Sequence, residues 1–229
     1  MANREPVEFL SREDEPSINF TNLKRVATDV WIGFTELGSK LDKKTHNYEP
    51  GYFFVHNMNY IQGKLEEGTN PIEKELAMYL ICQLRTPISR CKDVRKILPW
   101  LISKYVIPEF NNEIMFLRAR AVDIFTEYGT MELDLEVVKR AVEGIYVCLT
   151  KDAIPLVRIK AAIAFNCILK HKAAKEMVQP LLKDILTVYL QLLDSYDLEN
   201  IVNSLESIVE DFCHRNDSID SLDIVQTFF

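Results

Sequence analysis

The amino-acid sequence predicts an all-α fold, and two observations carry that prediction. Apolar residues recur at helical spacing along most of the chain, as at Val137, Ala141, Ile145 and Leu149. Only seven glycines occur among 229 residues, whereas β-sandwiches and doubly wound α/β folds need many glycine-bearing turns. No stretch of useful length alternates with period two. We therefore expect helices throughout the chain.

Short breaks at regular intervals separate the predicted helices. Asn70 and Pro71 are residue types that begin a helix, at the N-cap and the first helical position. Gly129 stands where a residue in the left-handed conformation would end another helix. Pro99 and Pro180 lie inside predicted helices and should bend them, because an internal proline removes a backbone hydrogen bond. Gaps this short are typical of antiparallel helix pairs.

The sequence also repeats itself at a fixed period. The similar segments are KELAMYLICQL (74–84), RARAVDIFTEY (118–128), RIKAAIAFNCI (158–168) and, more weakly, IVNSLESIVEDF (201–212). Their small residues Ala77, Ala121, Ala161 and Ser204 follow one another at steps of 44, 40 and 43. Each copy follows a longer amphipathic helix, at roughly 48–66, 92–108, 134–149 and 175–194.

A period near 40 residues is that of HEAT repeats, helix pairs that bury their apolar faces only by stacking. The sequence therefore predicts an α-solenoid of about four to five antiparallel helix pairs in a right-handed superhelical stack. We expect a charged segment at 1–19 that leads into the repeat array at 20–229. The expected units of that array are a partial pair at 20–45, pairs at 48–86, 92–129, 134–171 and 175–214, and a truncated one at 218–229.

Charge and cysteine usage narrow the function classes. The chain has a net charge of −7. Residues 176–229 contain eleven acids, and their basic residues are Lys183 and Arg215 alone. Such an acidic end repels phosphate backbones and attracts basic partners, so we expect no direct nucleic-acid binding.

The five cysteines are dispersed without zinc-site spacing, which favours buried thiols in a reducing compartment. Because apolar stretches are too short to cross a bilayer, we expect no membrane span.

The sequence contains no recognisable catalytic constellation. It has neither a phosphate-binding glycine loop nor an HExxH or GxSxG motif. Its four histidines, His46, His56, His171 and His214, are scattered among turns and helix ends. We therefore expect a protein that binds other proteins, with no enzymatic activity, no metal site and no cofactor.

Two basic residues and one acid are candidates for a structural ladder between repeats. Arg118 and Arg158 stand 40 residues apart at the start of two second helices. We expect them to pair with acids of the preceding turn, such as Asp152, and so to fix the register of the repeats. Direct contact with an acidic partner is the alternative.

Four acids form the candidate cargo-binding site. Glu199, Glu206 and Glu210 are spaced by seven and four residues and so share one helix face, with Asp211 beside them. An acidic face of this kind attracts lysine- and arginine-rich proteins. A solvated surface without a partner is the alternative.

Two stretches resemble a known family. FNNEIMFLRARAVDIFTEYG (110–129) and LVRIKAAIAFNCILKHKAAKEMVQPLLKDIL (156–186) are similar to repeats of the importin-β superfamily of nuclear transport receptors, closest to the importin-seven/importin-eight class. The opening EPVEFLSREDE also resembles a loop of that class. The resemblance runs over nearly the whole chain and is most specific between about 90 and 212.

The resemblance implies both partners and location. It implies basic cargo, such as ribosomal proteins or histones, on the second helices, and phenylalanine-glycine nucleoporins between the first helices. It also implies shuttling between cytoplasm and nucleus through the nuclear envelope. The alternative, which the repeat pattern fits equally well, is a HEAT-repeat scaffold or adaptor subunit of a multiprotein complex.

The chain departs from that family in length. Such receptors are several times longer, and their Ran-binding region lies in N-terminal repeats that nothing in this chain resembles. We therefore expect an internal fragment or a short form. Binding of Ran-GTP, which the resemblance implies for the whole receptor, is not carried over to this chain.

Overall fold

The computed structural model describes residues 23–44, 48–67 and 70–213, and in them it confirms the all-α repeat fold. Helices pack against one another in two layers, and no closed sheet occurs in this part of the chain. The helices are α1 (Leu23–Glu36), α2 (Tyr52–Glu67), α3 (Pro71–Gln83), α4 (Arg85–Arg90), α5 (Lys92–Leu101), α6 (Met115–Tyr128), α7 (Leu135–Lys151), α8 (Pro155–Ile168), α9 (Lys172–Val178), α10 (Leu182–Ser195) and α11 (Glu199–Cys213).

The second helices of successive units form one layer. In it, α3 packs against α6, α6 against α8, and α8 against α11. Ala77, Ala121 and Ala161 are buried at matched positions of the first three of these helices. Side chains this small let neighbouring helices approach closely, which explains why the alanines recur at the repeat period.

The first helices form the other layer and tie each unit to the next. Helix α2 packs on α3, α7 on α8, and α10 on α11, while α9 and α10 also pack on α7 of the unit before. Two buried tyrosines cross between units. The hydroxyl of Tyr128 donates to the carbonyl of Ile81 at 2.6 Å, and the hydroxyl of Tyr189 donates to the carbonyl of Ala162.

Both internal prolines lie at irregular turns of the first-helix layer. Pro99 is inside α5, which runs on into a π-helical turn (Ile102–Val106) and a 3-10 turn (Ile107–Asn111). Pro180 lies in the 3-10 turn Gln179–Leu181 that separates α9 from α10. Each proline removes a backbone donor, and an irregular turn lies at or close to each position where the sequence predicted a bend.

Gly129 is right-handed, so the prediction of a left-handed helix end there is wrong. Its φ and ψ are −60° and −21°. A Cβ at this position would lie 3.1 Å from the Cβ of Cys167 in α8 and 2.3 Å from the carbonyl oxygen of Phe125. A Cβ would therefore clash with the last turn of its own helix, and the close approach of α8 adds a second tight contact. The left-handed glycine in the described part of the chain is Gly38, with φ of 76°.

A small ribbon departs from the expectation of helices throughout. Strand β1 (Lys40–Leu41) pairs antiparallel with β2 (Tyr48–Glu49) between α1 and α2. Two residues per strand are too few for alternation to be recognised in a sequence.

The division of the array into units stays a prediction, although helix positions can be set beside it. The predicted pair at 92–129 contains α5 and α6, and the pair at 134–171 contains α7 and α8. The short helix α4 bridges the gap after the pair at 48–86. The predicted segments at 1–19 and 218–229 lie outside the described residues, as do His46 and His214.

Candidate protein-binding surface

Arg118, in the first turn of α6, holds Asp152 at the C-terminal end of α7. Its Nε and Nη2 donate to the two carboxylate oxygens at 2.5 and 2.9 Å, and only 16% and 5% of the two side chains is exposed. Asp152 also accepts from the backbone N–H of Ile154 at 2.9 Å. The hydrogen bond to Asp152 raises the pKa of the Arg118 guanidinium. This bidentate pair fixes the turn between α7 and α8 against the unit before it.

Arg158 occupies the matching position in α8 but does not pair with Asp152. Its Nε donates to the carbonyl of Leu149 at 3.2 Å, and its Nη2 donates to Oε1 of Gln191 at 3.4 Å. The two oxygens of Asp152 are already engaged by Arg118 and the Ile154 amide. The structure thus brings together two of the three candidate ladder residues and directs Arg158 toward α10 of the next unit.

The same forward contact occurs one unit earlier. Lys74 is the fourth residue of α3, as Arg118 is of α6 and Arg158 of α8. The Nζ of Lys74 lies 2.5 Å from Oε1 of Glu109, whose side chain is 6% exposed. Lys74, Arg118 and Arg158 follow one another at steps of 44 and 40, which are also the steps of the buried alanines. This spacing is the signal by which Lys74 could have been identified from the sequence.

A second network of charges, not identified from the sequence, crosses α3, α6 and α8. Arg120 Nε lies 2.8 Å from Glu75, and Arg120 Nη1 lies 2.9 Å from Asp123 of its own helix. Asp123 in turn accepts from Lys160 Nζ at 2.9 and 3.0 Å. These side chains are between 9% and 17% exposed, and two positive charges alternate with two negative ones. Alternation lets the buried charges compensate one another while they set the register of the second helices.

Three of the four candidate cargo-binding acids are exposed on α11. Glu199, Glu206 and Glu210 all belong to the exposed class and lie on the face opposite the buried Ile201 and Ile208. They therefore form one open acidic stripe, which we call the α11 acidic face. None of the three is needed to fill the core.

Asp211 lies beside this face but is engaged within the fold. Its carboxylate is 2.8 Å from the Nζ of Lys175 and 3.6 Å from the Nζ of Lys170. Partial burial by itself would raise the pKa of Asp211, but the hydrogen bond and the positive charge of the two lysines lower it below its ordinary value. Asp211 thus connects α11 to α9 through Lys175 and to the turn before α9 through Lys170, and it is less available to a partner than the three glutamates.

The repeat register shows how Glu206 differs from the equivalent positions of the preceding units. In the register that matches Ser204 with Ala77, Ala121 and Ala161, Glu206 corresponds to Tyr79, Asp123 and Ile163. Those three side chains are half-buried, and in each case a further second helix follows in the stack. On α11 the same position carries an exposed glutamate.

In the described residues, possible metal ligands are dispersed and the thiols are buried or half-buried. Within residues 23–44, 48–67 and 70–213, no group of three or more His, Cys, Asp or Glu side chains could hold a metal ion. Cys82, Cys91 and Cys148 are buried and free, and Cys167 is half-buried. Burial raises the pKa of the Cys148 thiol to about 12, so it is not a thiolate at neutral pH.

No helix in the described residues is both long and apolar enough to cross a membrane.

Two curated relatives carry importin names. The chain is 23% identical over 212 residues to the "Probable importin-7 homolog" of Dictyostelium discoideum, a match that covers 92% of this chain and 20% of that protein. It is 21% identical over 147 residues to "Importin-8" of Danio rerio, which covers 63% of this chain and 14% of that protein. The chain thus spans a fifth or less of the length of these relatives.

No family model matches the chain, and no solved structure matches it. The two importin matches, together with a fold of stacked helix pairs, support a relation of this chain to the importin-β family at the level of the family alone.

Proposed function

We propose that this chain is a protein-binding module of an importin-type nuclear transport receptor, one that holds basic cargo for import into the nucleus. The observation that carries the proposal is the match to an importin homologue over 92% of the chain. The exposed α11 acidic face supports it, because lysine- and arginine-rich proteins are the partners that such a face attracts.

The mechanism is binding and release without a covalent step. Glu199, Glu206 and Glu210 are solvent-exposed, so their attraction for a basic segment acts through water and weakens as salt is added. Phenylalanine-glycine nucleoporins would bind between first helices, and the receptor would shuttle between cytoplasm and nucleus. Ran-GTP would act on the cargo complex through repeats outside this chain.

Binding of a basic peptide tests the cargo part of the proposal. A fluorescent lysine- and arginine-rich peptide should bind the purified chain at low salt, and binding should weaken as salt is raised. The variant Glu199→Gln/Glu206→Gln/Glu210→Gln should bind about tenfold more weakly, since three attractive charges are removed without changing side-chain size.

The control variant removes the same number of charges elsewhere. Glu132, Glu136 and Glu143 are also exposed, and their replacement by glutamine should leave peptide binding within about twofold. If both triple variants weaken binding equally, the attraction comes from net charge and the α11 acidic face is not the cargo site.

A pull-down from cell extract tests the transport part. Recovery of nucleoporins and basic proteins would support a transport module. Release of the basic proteins by Ran-GTP would show in addition that Ran acts on this chain itself. Recovery of one stoichiometric assembly without nucleoporins would instead favour the scaffold or adaptor function.

A further inference from the structure

A strongly basic surface lies on α4 and α5, on a chain that is acidic as a whole. Between 85 and 96 there are five cations and one acid, and all six side chains are exposed. The cations are Arg85, Arg90, Lys92, Arg95 and Lys96, and the acid is Asp93. The chain as a whole carries a net charge of −7, whereas the net charge of this surface is positive.

Little of this positive charge is compensated within the fold. Lys96 pairs with Asp93 at 3.3 Å and Arg85 with Glu127 at 3.7 Å, both in largely solvent-exposed geometry. In the part of the chain that the structure describes, no ion pair engages the other three cations. Exposed pairs of this kind contribute little to stability, so the cations are not explained by the fold.

Two large apolar side chains share the exposed face of α5 with the lysines. Lys92, Lys96 and Trp100 follow one another at intervals of four residues, which places them along one face. Trp100 is 47% exposed, and Ile97 beside it is 46% exposed. From Lys92 to Lys104 this face extends over about 18 Å.

The indole of Trp100 is held in place by its neighbours. The ring of Tyr105 packs edge-on against it, with centroids 5.7 Å apart, and the Nζ of Lys104 lies 4.8 Å from the centroid of each ring. The hydroxyl of Tyr105 donates to Glu66 of α2 at 3.0 Å. An exposed aromatic side chain that is already ordered loses little conformational entropy when a partner covers it.

We propose that the exposed face of α4 and α5 is a docking surface for an acidic peptide segment that carries apolar side chains. The acids of the peptide would pair with Arg90, Lys92 and Arg95, and an apolar residue would pack on Trp100 and Ile97. Charge complementarity selects an acidic partner, and the ordered indole selects a protein segment over a simple polyanion. This surface is separate from the α11 acidic face, and its use does not depend on an importin-type role.

Fluorescence anisotropy with a designed peptide tests the proposal on the full chain. The probe is a fluorescein-labelled peptide of about fifteen residues, with glutamate at most positions and leucine or phenylalanine at helical spacing. The variant Arg90→Glu/Lys92→Glu/Arg95→Glu should weaken binding by about tenfold or more. The variant Trp100→Ala should weaken it about tenfold, as expected for a central aromatic contact. A peptide with every glutamate replaced by glutamine should bind about tenfold more weakly.

A matched charge reversal serves as the control. Lys151, Lys172 and Lys183 are exposed elsewhere on the chain, and the variant Lys151→Glu/Lys172→Glu/Lys183→Glu should leave binding within about twofold. Circular dichroism on each variant verifies that the helices are retained. Equal weakening by the two triple reversals would overturn the proposal, as would peptide binding that does not respond to Trp100→Ala. Single-stranded RNA that binds more tightly than the peptide would overturn it as well.

Discussion

Replacing Asp152 by asparagine tests whether a buried ion pair between units holds the turn of α7 and α8 in place. The substitution keeps the size of the side chain, and its amide oxygen can still accept from the Ile154 N–H that Asp152 accepts at 2.9 Å. What is lost is the oxygen that faces Nε of Arg118 at 2.5 Å. An amide NH₂ takes its place, so that two donors face each other.

The size of the effect follows from the burial of the pair. A hydrogen bond to a charged group contributes about 1.5–3 kcal/mol, and removal of one partner of a buried pair costs about 3–5 kcal/mol. Asparagine retains one acceptor, and Arg118 keeps its hydrogen bonds to the carbonyls of Asn112 and Glu113 at 2.8 and 3.0 Å. We therefore expect Asp152→Asn to lower the free energy of unfolding by about 2–3 kcal/mol.

Urea unfolding followed by circular dichroism measures this change, provided that the denaturant slope stays constant. The control is Glu136→Gln, which removes an ion pair to Lys139 whose side chains are 76% and 44% exposed. Its effect should stay below about 0.5 kcal/mol. In addition, 0.5 M salt should leave the effect of Asp152→Asn nearly unchanged, because a buried pair is poorly screened. A loss below about 0.5 kcal/mol for Asp152→Asn would refute the reasoning.

Three further predictions concern packing, a buried hydroxyl and acid stability. Gly144→Ala should destabilise the chain by about 1–3 kcal/mol in thermal or urea unfolding, since a Cβ there would lie 2.1 Å from the ring of Phe110. Gly63→Ala should instead stabilise it by about 0.5–1 kcal/mol, because the added carbon would meet nothing within 4 Å beyond its chain neighbours and the nearby backbone of its own helix. Tyr128→Phe should cost about 1 kcal/mol in urea unfolding, because a buried hydrogen bond between units is lost, and an unchanged midpoint would contradict this. Asp211 has a lowered pKa in the folded chain, so its contribution to stability is present above the unfolded pKa of about 3.9 and is lost as pH falls through the folded pKa. The stability difference between the parent chain and Asp211→Asn should therefore shrink below about pH 4, as followed by unfolding at a series of pH values.

The fold could be predicted because successive units repeat the same pattern of paired helices. Helical periodicity identified the helices, and the recurrence of Ala77, Ala121 and Ala161 identified which helices are equivalent. These signals are local or periodic, so they do not depend on how units are oriented. The ribbon of β1 and β2 gives no such signal, because it has two residues per strand.

The pairing of charges between units could not be read from the sequence in the same way. Arg158 has the position and charge expected of a ladder residue, yet it donates to Leu149 and Gln191. Which acid a basic residue meets depends on the offset between stacked helices, and that offset is set by packing of the whole core. The pair of Lys160 with Asp123, 37 residues apart, depends on the same offset.

In the ion pairs of the ladder the acid lies later in the sequence than the basic residue, which determines when each pair can form during synthesis on the ribosome. Arg118 meets Asp152 34 residues later in the sequence, and Lys74 meets Glu109 35 residues later. After a second helix has been synthesised, nearly a full further unit must therefore be translated before its arginine or lysine can form this ion pair. The chain emerges from its N-terminal end, so each unit would be stabilised by its ion pair with the unit that follows. These ion pairs would form in the order in which the units are translated.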